Sequence, residues 1–353
     1  MAAKKATYKD IAQILGVSST TVHRALTGKG GVGDLMTAKI RKLAEEMGYQ
    51  PNHRTALFNK SSFNLAVVFP EPTMENRYYY LSLWTGVRRF FQEVSAFHVN
   101  ASEFPYPLLP ESNGAVLKDI YENHRNSLDG LITIAVENSQ SSYFLEKLSG
   151  EGIPIVTVGA DIYKNLSLCS VMACDEMVGS LAAELLTAFQ PAGFSGRILV
   201  TGNPVGSFSM PDQYHNACGF ERYISRYAPG CSLLTAYSPD SNAAGAQICS
   251  YLEQYEDIHA IYSTSARNTV LICEIAEEMG LEGKLKLIGN DRFPESMDYL
   301  KKGVLTAIID KKISGQSYQA AKILFDYAAK GEYPSSPVIR IPPDVVMKGH
   351  CEG

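Results

Sequence analysis

The first constraint on this chain is the pattern TYKDIAQILGVSSTTVHRAL, which covers Thr7 to Leu26. Ile11, Ile14 and Leu15 recur at helical spacing and predict the inner face of a first helix. Gly16 follows directly, and glycine is the residue that most often ends a helix in the left-handed conformation. The segment therefore predicts two short helices joined by a tight turn.

Capping residues support both of these helices. Thr7 with Asp10 fits a capping box at the start of the first helix, and Ser18 can cap the second helix. The second helix carries a polar face. The side chains at its N-terminal end are small, and an arginine follows one turn later. This polar face consists of Ser19, Thr20, His23 and Arg24.

The polar face of the second helix fits the major groove of DNA. Its first residues would meet base edges, and Arg24 can make two hydrogen bonds to guanine. Val22, Ala25 and Leu26 share the opposite, apolar face, which predicts packing against the other helices. An ordinary three-helix bundle with a solvated polar face is the alternative interpretation.

Charge separates the first sixty residues from the rest of the chain. Residues 1–60 hold ten Lys or Arg and four Asp or Glu, a net charge of +6, whereas the whole chain carries −5, which leaves −11 for the remainder. A third helix is predicted from Asp34 to Met47, and its Lys39, Arg41 and Lys42 could meet phosphates. A basic head on an acidic body is expected when only the head meets nucleic acid.

In the remainder of the chain, short segments of β-forming residues alternate with segments whose apolar residues recur at helical spacing. This alternation predicts parallel sheets. The first run, LAVVF, is wholly apolar, as in a strand covered on both faces. The number of such runs favours two sheets over one. The predicted strands are Leu65–Phe69, Leu131–Ala135, Ile155–Val158, Ile198–Thr201, Ile261–Ser263, Leu285–Ile288 and Thr306–Ile309.

These segments resemble the lactose-repressor (LacI/GalR) family of bacterial transcription regulators. The resemblance rests on YKDIAQILGVSSTTVHRAL, KIRKLAEEMGYQPN and LAVVFPE, and LDGLITIA, GIPIVTVGADI, SVMACDEMVGSLAAELL and LKLIGND extend it through nearly the whole chain. It implies a helix-turn-helix head and a periplasmic-binding-protein-like body of two Rossmann-like parallel-sheet lobes. A ligand in the cleft between the lobes would control DNA binding by allostery.

The resemblance also implies a domain organisation. The DNA-binding head would cover residues 1–49, a hinge helix residues 50–62, and the ligand-binding body residues 63–353. Three crossovers would join the lobes, near Ile162–Lys164, Ile309–Lys311 and Pro334–Val338. The N-lobe would then hold residues 63–163 and 310–336, and the C-lobe residues 164–309 and 337–353.

The resemblance assigns DNA contacts residue by residue. Ser19 and Thr20 would be base readers, and Arg24 would contact a base or a phosphate. His23 stands where the family usually has Ser, so it could add a phosphate contact, make binding respond to pH, or be a tolerated exposed side chain. Phosphate contacts would come from Thr7, Tyr8, Ser18 and Thr21.

In the family, a hinge helix follows a Pro-Asn pair, folds on operator DNA and inserts an apolar residue into the minor groove. The pair here is Pro51 and Asn52, and the inserted residue is Phe58 with Leu57 beside it. The segment HRTALFNKSS departs from the usual small-residue pattern of this hinge. The position of the hinge is therefore better supported than its individual contacts.

Asp291 is the strongest candidate for holding a ligand. It follows a predicted strand, and the matching Asp of the family accepts hydrogen bonds from sugar hydroxyls. A helix N-cap for PESMDYLKKG is the alternative role. Tyr79 and Tyr80 could stack on a sugar ring and Arg77 could meet a carboxylate, although the tyrosines could instead be core or dimer surface.

Two departures from the family pattern weaken any transfer of a known sugar specificity. Asn216 stands where the family usually has Arg. Ser265-Ala266 stands where it has Asn-Asp, with Arg267 and Asn268 next. We therefore treat Asn216, Arg267 and Asn268 as weaker candidates for ligand contact.

The sequence predicts a ligand-responsive transcription regulator, most simply a repressor, that binds a palindromic operator as a homodimer. Its effector would be a small carbohydrate. A purine or phosphosugar co-repressor, or a solute-binding protein without a regulatory role, are the alternatives. We expect a cytoplasmic location at the nucleoid, reduced cysteines, no cofactor, no metal, no membrane partner and no enzymatic activity.

Overall fold

The computed structural model describes residues 8–18, 21–22, 25–26, 32–47, 62–74, 76–163, 165–188, 195–202, 211–238 and 240–351. The chain divides into two compact units. One holds residues 1–63 with 325–333, and the other holds residues 64–324 with 334–353. In the described part of the chain, no helix combines the length and the apolar character needed to cross a membrane. Each of the seven cysteines is a free thiol.

The head is built from short helices around one small core. Helix α1 spans Tyr8–Leu15 and α2 spans Asp34–Glu46, and residues 21, 22, 25 and 26 between them are also helical. Gly16 has φ +65°, so it ends α1 in the left-handed conformation, as predicted from the sequence. The core consists of the buried side chains Ile11, Ala12, Val22, Ala25, Ile40 and Ala44.

One expectation about the head is wrong. Ile14 was expected on the inner face of the first helix, but its side chain is 60% exposed. Ile11 and Ala12 supply the buried positions of α1 instead, and Leu15 is partly buried. The helix has only eight residues, and the small core cannot cover three apolar positions equally.

The first lobe of the body contains a six-stranded sheet of order β11-β5-β4-β3-β1-β2. The pairings β1–β3, β3–β4, β4–β5 and β5–β11 are all parallel. Its strands are β1 (Phe63–Val68), β2 (Val99–Glu103), β3 (Gly130–Ile134), β4 (Ile155–Val158), β5 (Cys169–Ala173) and β11 (Val338–Ile341). Its helices are α3 (Arg77–Glu93), α4 (Ser112–Asp119), α5 (Ser139–Gly150) and α11 (Ile313–Phe325).

The second lobe contains a six-stranded sheet of order β12-β10-β9-β8-β6-β7, in which β12 pairs antiparallel with β10. Its strands are β6 (Arg197–Gly202), β7 (Ser232–Tyr237), β8 (Ile258–Ser263), β9 (Lys286–Asn290), β10 (Ala307–Asp310) and β12 (Asp344–Val346). Its helices are α6 (Asp175–Ala188), α7 (Pro211–Tyr227), α8 (Ser241–Gln254), α9 (Ala266–Glu278) and α10 (Pro294–Lys302).

The second sheet is covered on both faces, which explains its nearly continuous apolar strands. Leu199, Ile261 and Ile308 face a core that includes residues of α8, α9 and α10. Val200 and Ile309, on neighbouring positions of the same strands, face residues of α6 and α7. The sequence prediction of two sheets flanked by helices is therefore confirmed.

The predicted lobe boundaries need correction. β5 and β11 belong to the first sheet, so the chain crosses between lobes near Cys174 and at residues 342–343, not near residues 162–164 and 334–338. The other crossover lies at residues 311–312, next to the predicted range of residues 309–311. The error arose because β5, with the sequence CSVMA, was not recognised as a strand, and the boundary was placed before it.

Candidate functional site

The start of the second helical segment of the head is fixed by a side-chain cap. Ser18 Oγ accepts a hydrogen bond from the backbone N–H of Thr21 at 3.0 Å, and it lies 2.8 Å from Thr21 Oγ1. A serine that accepts from the N–H three residues later is an N-cap, as predicted from the sequence. This cap defines where the segment with the predicted base-reading residues begins.

The buried face of that segment is also defined. Val22 and Ala25 are buried in the head core, and Leu26 is partly buried against it. Tyr8 is the first residue of α1. The remaining predicted DNA contacts lie outside the described residues: Thr7, Ser19, Thr20, His23, Arg24, Asn52, Leu57 and Phe58.

Helix α2 carries basic residues on its solvent side. Lys39, Arg41 and Lys42 are exposed, and Ile40 between them is fully buried. Lys42 lies 3.9 Å from Glu46, a pair one helical turn apart that is largely exposed. Such a pair is weak in water, so these cations stay available to phosphates.

In the body, Asp291 lies at the carboxyl end of β9, where parallel strands of α/β sheets present ligand-binding groups. Its φ is +73°, and its backbone N–H donates to Ile309 of the adjacent strand at 2.9 Å. A left-handed conformation of a residue with a side chain carries strain, and such strain clusters at functional positions. The left-handed conformation of Asp291 therefore indicates a candidate functional position at the end of β9.

Asp291 forms a buried ion pair with Lys311. The Lys311 ammonium lies 3.5 Å from Asp291 Oδ2, and only 3% and 4% of the two side chains are exposed. Lys311 comes directly after β10, and β9 and β10 are parallel neighbours with Ile309 opposite Asn290. The two charged groups therefore meet because two adjacent strands end at the same edge.

The structure does not give Asp291 the alternative role of capping α10. The N-cap residue is Phe293, whose backbone N–H donates to Ser296 Oγ at 3.0 Å. Ser296 Oγ in turn lies 3.0 Å from the carbonyl oxygen of Asp291, so Asp291 takes part through its backbone.

The three tyrosines at the start of α3 occupy different environments. Tyr80 is buried in the first lobe. Tyr79 is partly buried; its ring centroid lies 5.9 Å from the Lys311 ammonium, and a Cβ placed on Gly159 would lie 3.4 Å from its hydroxyl. Tyr79 thus stands beside strand ends of both lobes, whereas Tyr80 belongs to the core.

Arg77 and Tyr78 contact the second lobe directly. Arg77 Nη2 donates to Glu295 Oε1 at 2.8 Å and to the Tyr78 hydroxyl at 2.7 Å. The ring centroids of Tyr78 and Phe293 are 4.5 Å apart. Burial raises the pKa of Tyr78, with the Arg77 charge acting in the opposite direction. These contacts join the two lobes near the start of α3.

Arg267 and Asn268 also lie at the carboxyl edge of the second sheet. Asn268 is buried, and its Nδ2 donates to Thr201 Oγ1 at 2.8 Å, at the end of β6. Arg267 Nη2 donates to the carbonyl oxygen of Ser238, after β7, at 3.2 Å. The two residues therefore tie the start of α9 to the ends of two strands.

Asn216 has a different setting from the other candidates. It is fully buried in α7, and a Cβ placed on Gly179 of α6 would lie 1.8 Å from its carbonyl oxygen. The position holds α6 and α7 at very close approach. A packing role accounts for this contact, and a ligand contact by Asn216 stays a prediction.

Sequence reasoning missed three residues that the fold brings to this site. Lys311, Phe293 and Glu295 contact residues 20, 215 and 218 positions away in the chain. The adjacent lysines after LTAIID were a usable signal for Lys311, because a charged residue directly after a buried parallel strand lies at the cleft edge. No comparable signal identified Phe293 or Glu295.

Two family comparisons match separate parts of this architecture. Residues 7–52 match "Bacterial regulatory proteins, lacI family", and residues 110–332 match "Periplasmic binding protein domain". The first covers the head with its capped helix-turn-helix, and the second covers most of both lobes. The class of protein is therefore a helix-turn-helix head joined to a periplasmic-binding-protein body. Residues 110–332 are more than half of the chain, so the chain belongs to the periplasmic binding protein domain family, and residues 7–52 carry a lacI-family regulatory domain.

A curated relative agrees with this assignment. The chain is 29% identical over 181 residues to the HTH-type transcriptional regulator DegA of Bacillus subtilis (strain 168). The match covers 51% of this chain and 50% of DegA, so the chain spans about half the length of that relative.

Solved structures show the same body fold. A candidate LacI transcriptional regulator from Bacteroides fragilis is 19% identical with a TM-score of 0.71, covering 83% of this chain and 99% of that one. The glucose-galactose binding protein GanP from Geobacillus stearothermophilus is 21% identical with a TM-score of 0.67, covering 82% and 99%. A solute binding protein from Agrobacterium vitis, bound with α-D-tagatopyranose, is 17% identical with a TM-score of 0.69, covering 82% and 96%.

Proposed function

We propose that this protein is a lacI-family transcription regulator whose DNA binding is switched by a small sugar-like effector. One observation carries the proposal: a single chain combines a capped helix-turn-helix head with a two-lobed body in which polar groups meet at the carboxyl ends of the strands. The proposed role is non-catalytic, and the proposed location is the cytoplasm, at the nucleoid.

In this proposal the head contacts DNA through its second helical segment. Burial of Val22 and Ala25 supports this orientation, because the helical period would put Thr20 and Arg24, each two positions from Val22, on the other face. Ser19 would read bases from the N-terminal end of the segment. Ser18, Thr21, Thr7 and Tyr8 would contact phosphates. The chain would act as a homodimer on a palindromic operator, with Phe58 and Leu57 widening the minor groove at its centre.

The effector would bind between the lobes. Asp291 would accept hydrogen bonds from hydroxyl groups and Tyr79 would stack on a sugar ring, while Arg267 and Asn268 would border the site. The structures of sugar-binding proteins with the same fold support a carbohydrate as the effector class. The assignment of individual contacts follows from position at the strand ends.

The switch would operate through the lobe–lobe arrangement. Ligand that bridges both lobes stabilises one arrangement over another, and only this difference in affinity can be transmitted to the head. A coupling of about 1–3 kcal/mol is typical of such systems and corresponds to a change of about 5-fold to 150-fold in operator affinity.

The decisive experiment measures both functions on the full chain. An operator is first selected from random double-stranded DNA, and its affinity is then measured by fluorescence anisotropy at a fixed salt concentration, because phosphate contacts make affinity salt-dependent. Thermal shift assays with a panel of pentoses and hexoses identify stabilising sugars. The proposal requires a palindromic site and a stabilising sugar that changes operator affinity. It fails if no selected sequence binds, or if every stabilising sugar leaves operator affinity unchanged.

A further inference from the structure

We propose that Lys311 is a specificity-determining residue that neutralises the charge of Asp291, so that the effector site selects uncharged sugars over phosphorylated or carboxylated ones. This inference rests on the proposed function and adds to it a ligand class and a residue. It starts from the buried pair of Lys311 and Asp291 at the ends of two adjacent strands.

The two charges compensate each other inside the protein. Both side chains are almost completely buried, and the distance of 3.5 Å from Nζ to Oδ2 keeps them in direct electrostatic contact. Burying either charge alone is costly, whereas a paired carboxylate and ammonium are tolerated. The pair therefore presents no net charge to a ligand.

The pair also supplies complementary hydrogen-bonding groups. A carboxylate can only accept hydrogen bonds and an ammonium can only donate them, whereas a hydroxyl group does both. Neighbouring sugar hydroxyls can therefore donate to Asp291 and accept from Lys311. The separation of 3.5 Å is longer than the roughly 2.7–2.9 Å of a charge-assisted hydrogen bond, so neither group is held in its shortest contact with the other.

A phosphate or carboxylate group does not match this pair. It carries negative charge and offers mainly acceptors, so it would compete with Asp291 for the same ammonium. Bringing it near Asp291 adds like-charge repulsion in a region of low polarity. The site prefers an uncharged ligand because the Asp291 carboxylate belongs to the protein and repels any anion that binds beside it.

Three further groups lie near the pair. Burial raises the pKa of Tyr262, which therefore keeps its proton. Arg267, another cation at this edge, donates to the carbonyl oxygen of Ser238 and, at 3.2 Å, to Asn268 Oδ1. The Tyr79 ring stands beside the Lys311 ammonium from the other lobe, which places an aromatic face next to the pair.

The test compares sugars with their own charged derivatives on the purified full chain. Calorimetric titrations use D-glucose with glucose 6-phosphate, D-galactose with galacturonate, and D-ribose with ribose 5-phosphate. Wherever a neutral parent binds, we expect its anionic derivative to bind at least about tenfold more weakly. An anionic derivative that binds as tightly as its parent overturns the inference.

Asp291→Asn provides the sharper test because it removes the carboxylate that repels an anionic ligand and leaves Lys311 to pair with the charge of that ligand. The preference should then move toward the anionic derivative by at least about tenfold, a reversal that loss of structure cannot produce. Lys311→Met serves as the second variant if Asp291→Asn does not fold. It should weaken binding of the neutral parent at least about tenfold and keep rejection of the anion. Unchanged binding in Lys311→Met, or an unchanged ratio in Asp291→Asn, overturns the inference.

Asp344→Asn is the matched control. It removes the same charge from a carboxylate that pairs with the neighbouring lysine, Lys312, at 2.8 Å, but Asp344 is largely exposed. Its selectivity should equal that of the unmodified chain. If neutral sugars bind selectively but leave operator affinity unchanged, the proposed function fails and this inference stands. If no sugar of the panel binds, both are overturned.

Discussion

Arg77 and Glu295 form an ion pair that joins the start of α3 in the first lobe to the first turn of α10 in the second lobe. The distance from Arg77 Nη2 to Glu295 Oε1 is 2.8 Å, and both side chains are about one-third exposed. The Glu295 hydrogen bond is the main cause that raises the pKa of Arg77. The adjacent Tyr78–Phe293 contact adds an apolar component at the same place.

The first prediction concerns this lobe–lobe contact. Glu295→Gln should weaken this arrangement of the lobes, because the remaining amide cannot form the ion pair. A partly exposed pair contributes about 0.2–1 kcal/mol, so effector affinity should fall by about 1.5-fold to 5-fold. Isothermal titration calorimetry with the effector measures this change in affinity.

Glu103→Gln is the control for the lobe–lobe contact. It breaks a similar pair with Arg88, at 2.6 Å, but within the first lobe. Effector affinity should stay unchanged in this variant. Equal losses in the two variants would show that the Arg77–Glu295 contact has no special role in closure.

The second prediction concerns the packing of α6 against α7. Gly179→Ala should destabilise the body by about 1–3 kcal/mol, because the new Cβ would lie 1.8 Å from the carbonyl oxygen of Asn216 and the helices must separate. Urea unfolding measures the loss. Gly150→Ala at the end of α5 is the control, since a Cβ there meets no atom within 4 Å. A loss below about 0.5 kcal/mol in Gly179→Ala would contradict the close approach.

The third prediction concerns base recognition by the head. Arg24→Ala should weaken operator binding by about 1–3 kcal/mol and relax the preference at one base pair, if Arg24 contacts guanine. Lys42→Ala should weaken binding of all sequences similarly, because a phosphate contact carries no sequence information. Competition assays with single-base operator variants distinguish the two effects. A uniform loss in Arg24→Ala would assign it to phosphate.

The fourth prediction concerns pH and Asp310. Burial is the main cause that raises the pKa of Asp310 above its ordinary value of 3.8, although the hydrogen bond from the Lys312 backbone N–H lowers it in part. A raised pKa means that the folded state prefers the protonated carboxyl. The protonated Asp310 carboxyl therefore contributes to the free energy of unfolding below pH 3.8. This contribution is lost as the pH rises through the raised pKa of the folded state.

Asp310→Asn should remove this pH dependence, because the carboxamide is neutral and its oxygen can still accept from Lys312. As the pH rises from 3.8, the urea midpoint of the variant should increase relative to that of the unmodified chain. The difference should level off once the native carboxyl is ionised. A constant difference across this range would show that burial does not set the ionisation of Asp310.

Whether a strand could be predicted from the sequence depended on how completely other elements bury it. The seven predicted strands correspond to β1, β3, β4, β6, β8, β9 and β10, which are apolar because helices or neighbouring strands bury them. β2, β7, β11 and β12 escaped prediction because they lie at sheet edges, where polar residues alternate irregularly. The lobe boundaries were misplaced for a different reason: β5 lies inside the sheet, but its sequence CSVMA mixes small and polar residues with apolar ones.

The local features of this protein follow from short stretches of its sequence. The end of α1 at Gly16, the cap at Ser18 and the buried face of Val22 and Ala25 each depend on residues within a few positions of one another. Backbone conformation, capping and helical period act over that range, so a local pattern is sufficient to predict them.

Contacts between distant groups depend on how the chain folds as a whole. Asp291 contacts Lys311 because β9 and β10 are parallel neighbours that end at one edge, and Arg77 reaches Glu295 across 218 positions of the chain because the two lobes adjoin there. Such contacts depend on strand order, on the left-handed turn at Asp291 and on the packing of whole elements. A local pattern carries no record of these long-range relations, so only the fold reveals the charge-paired site.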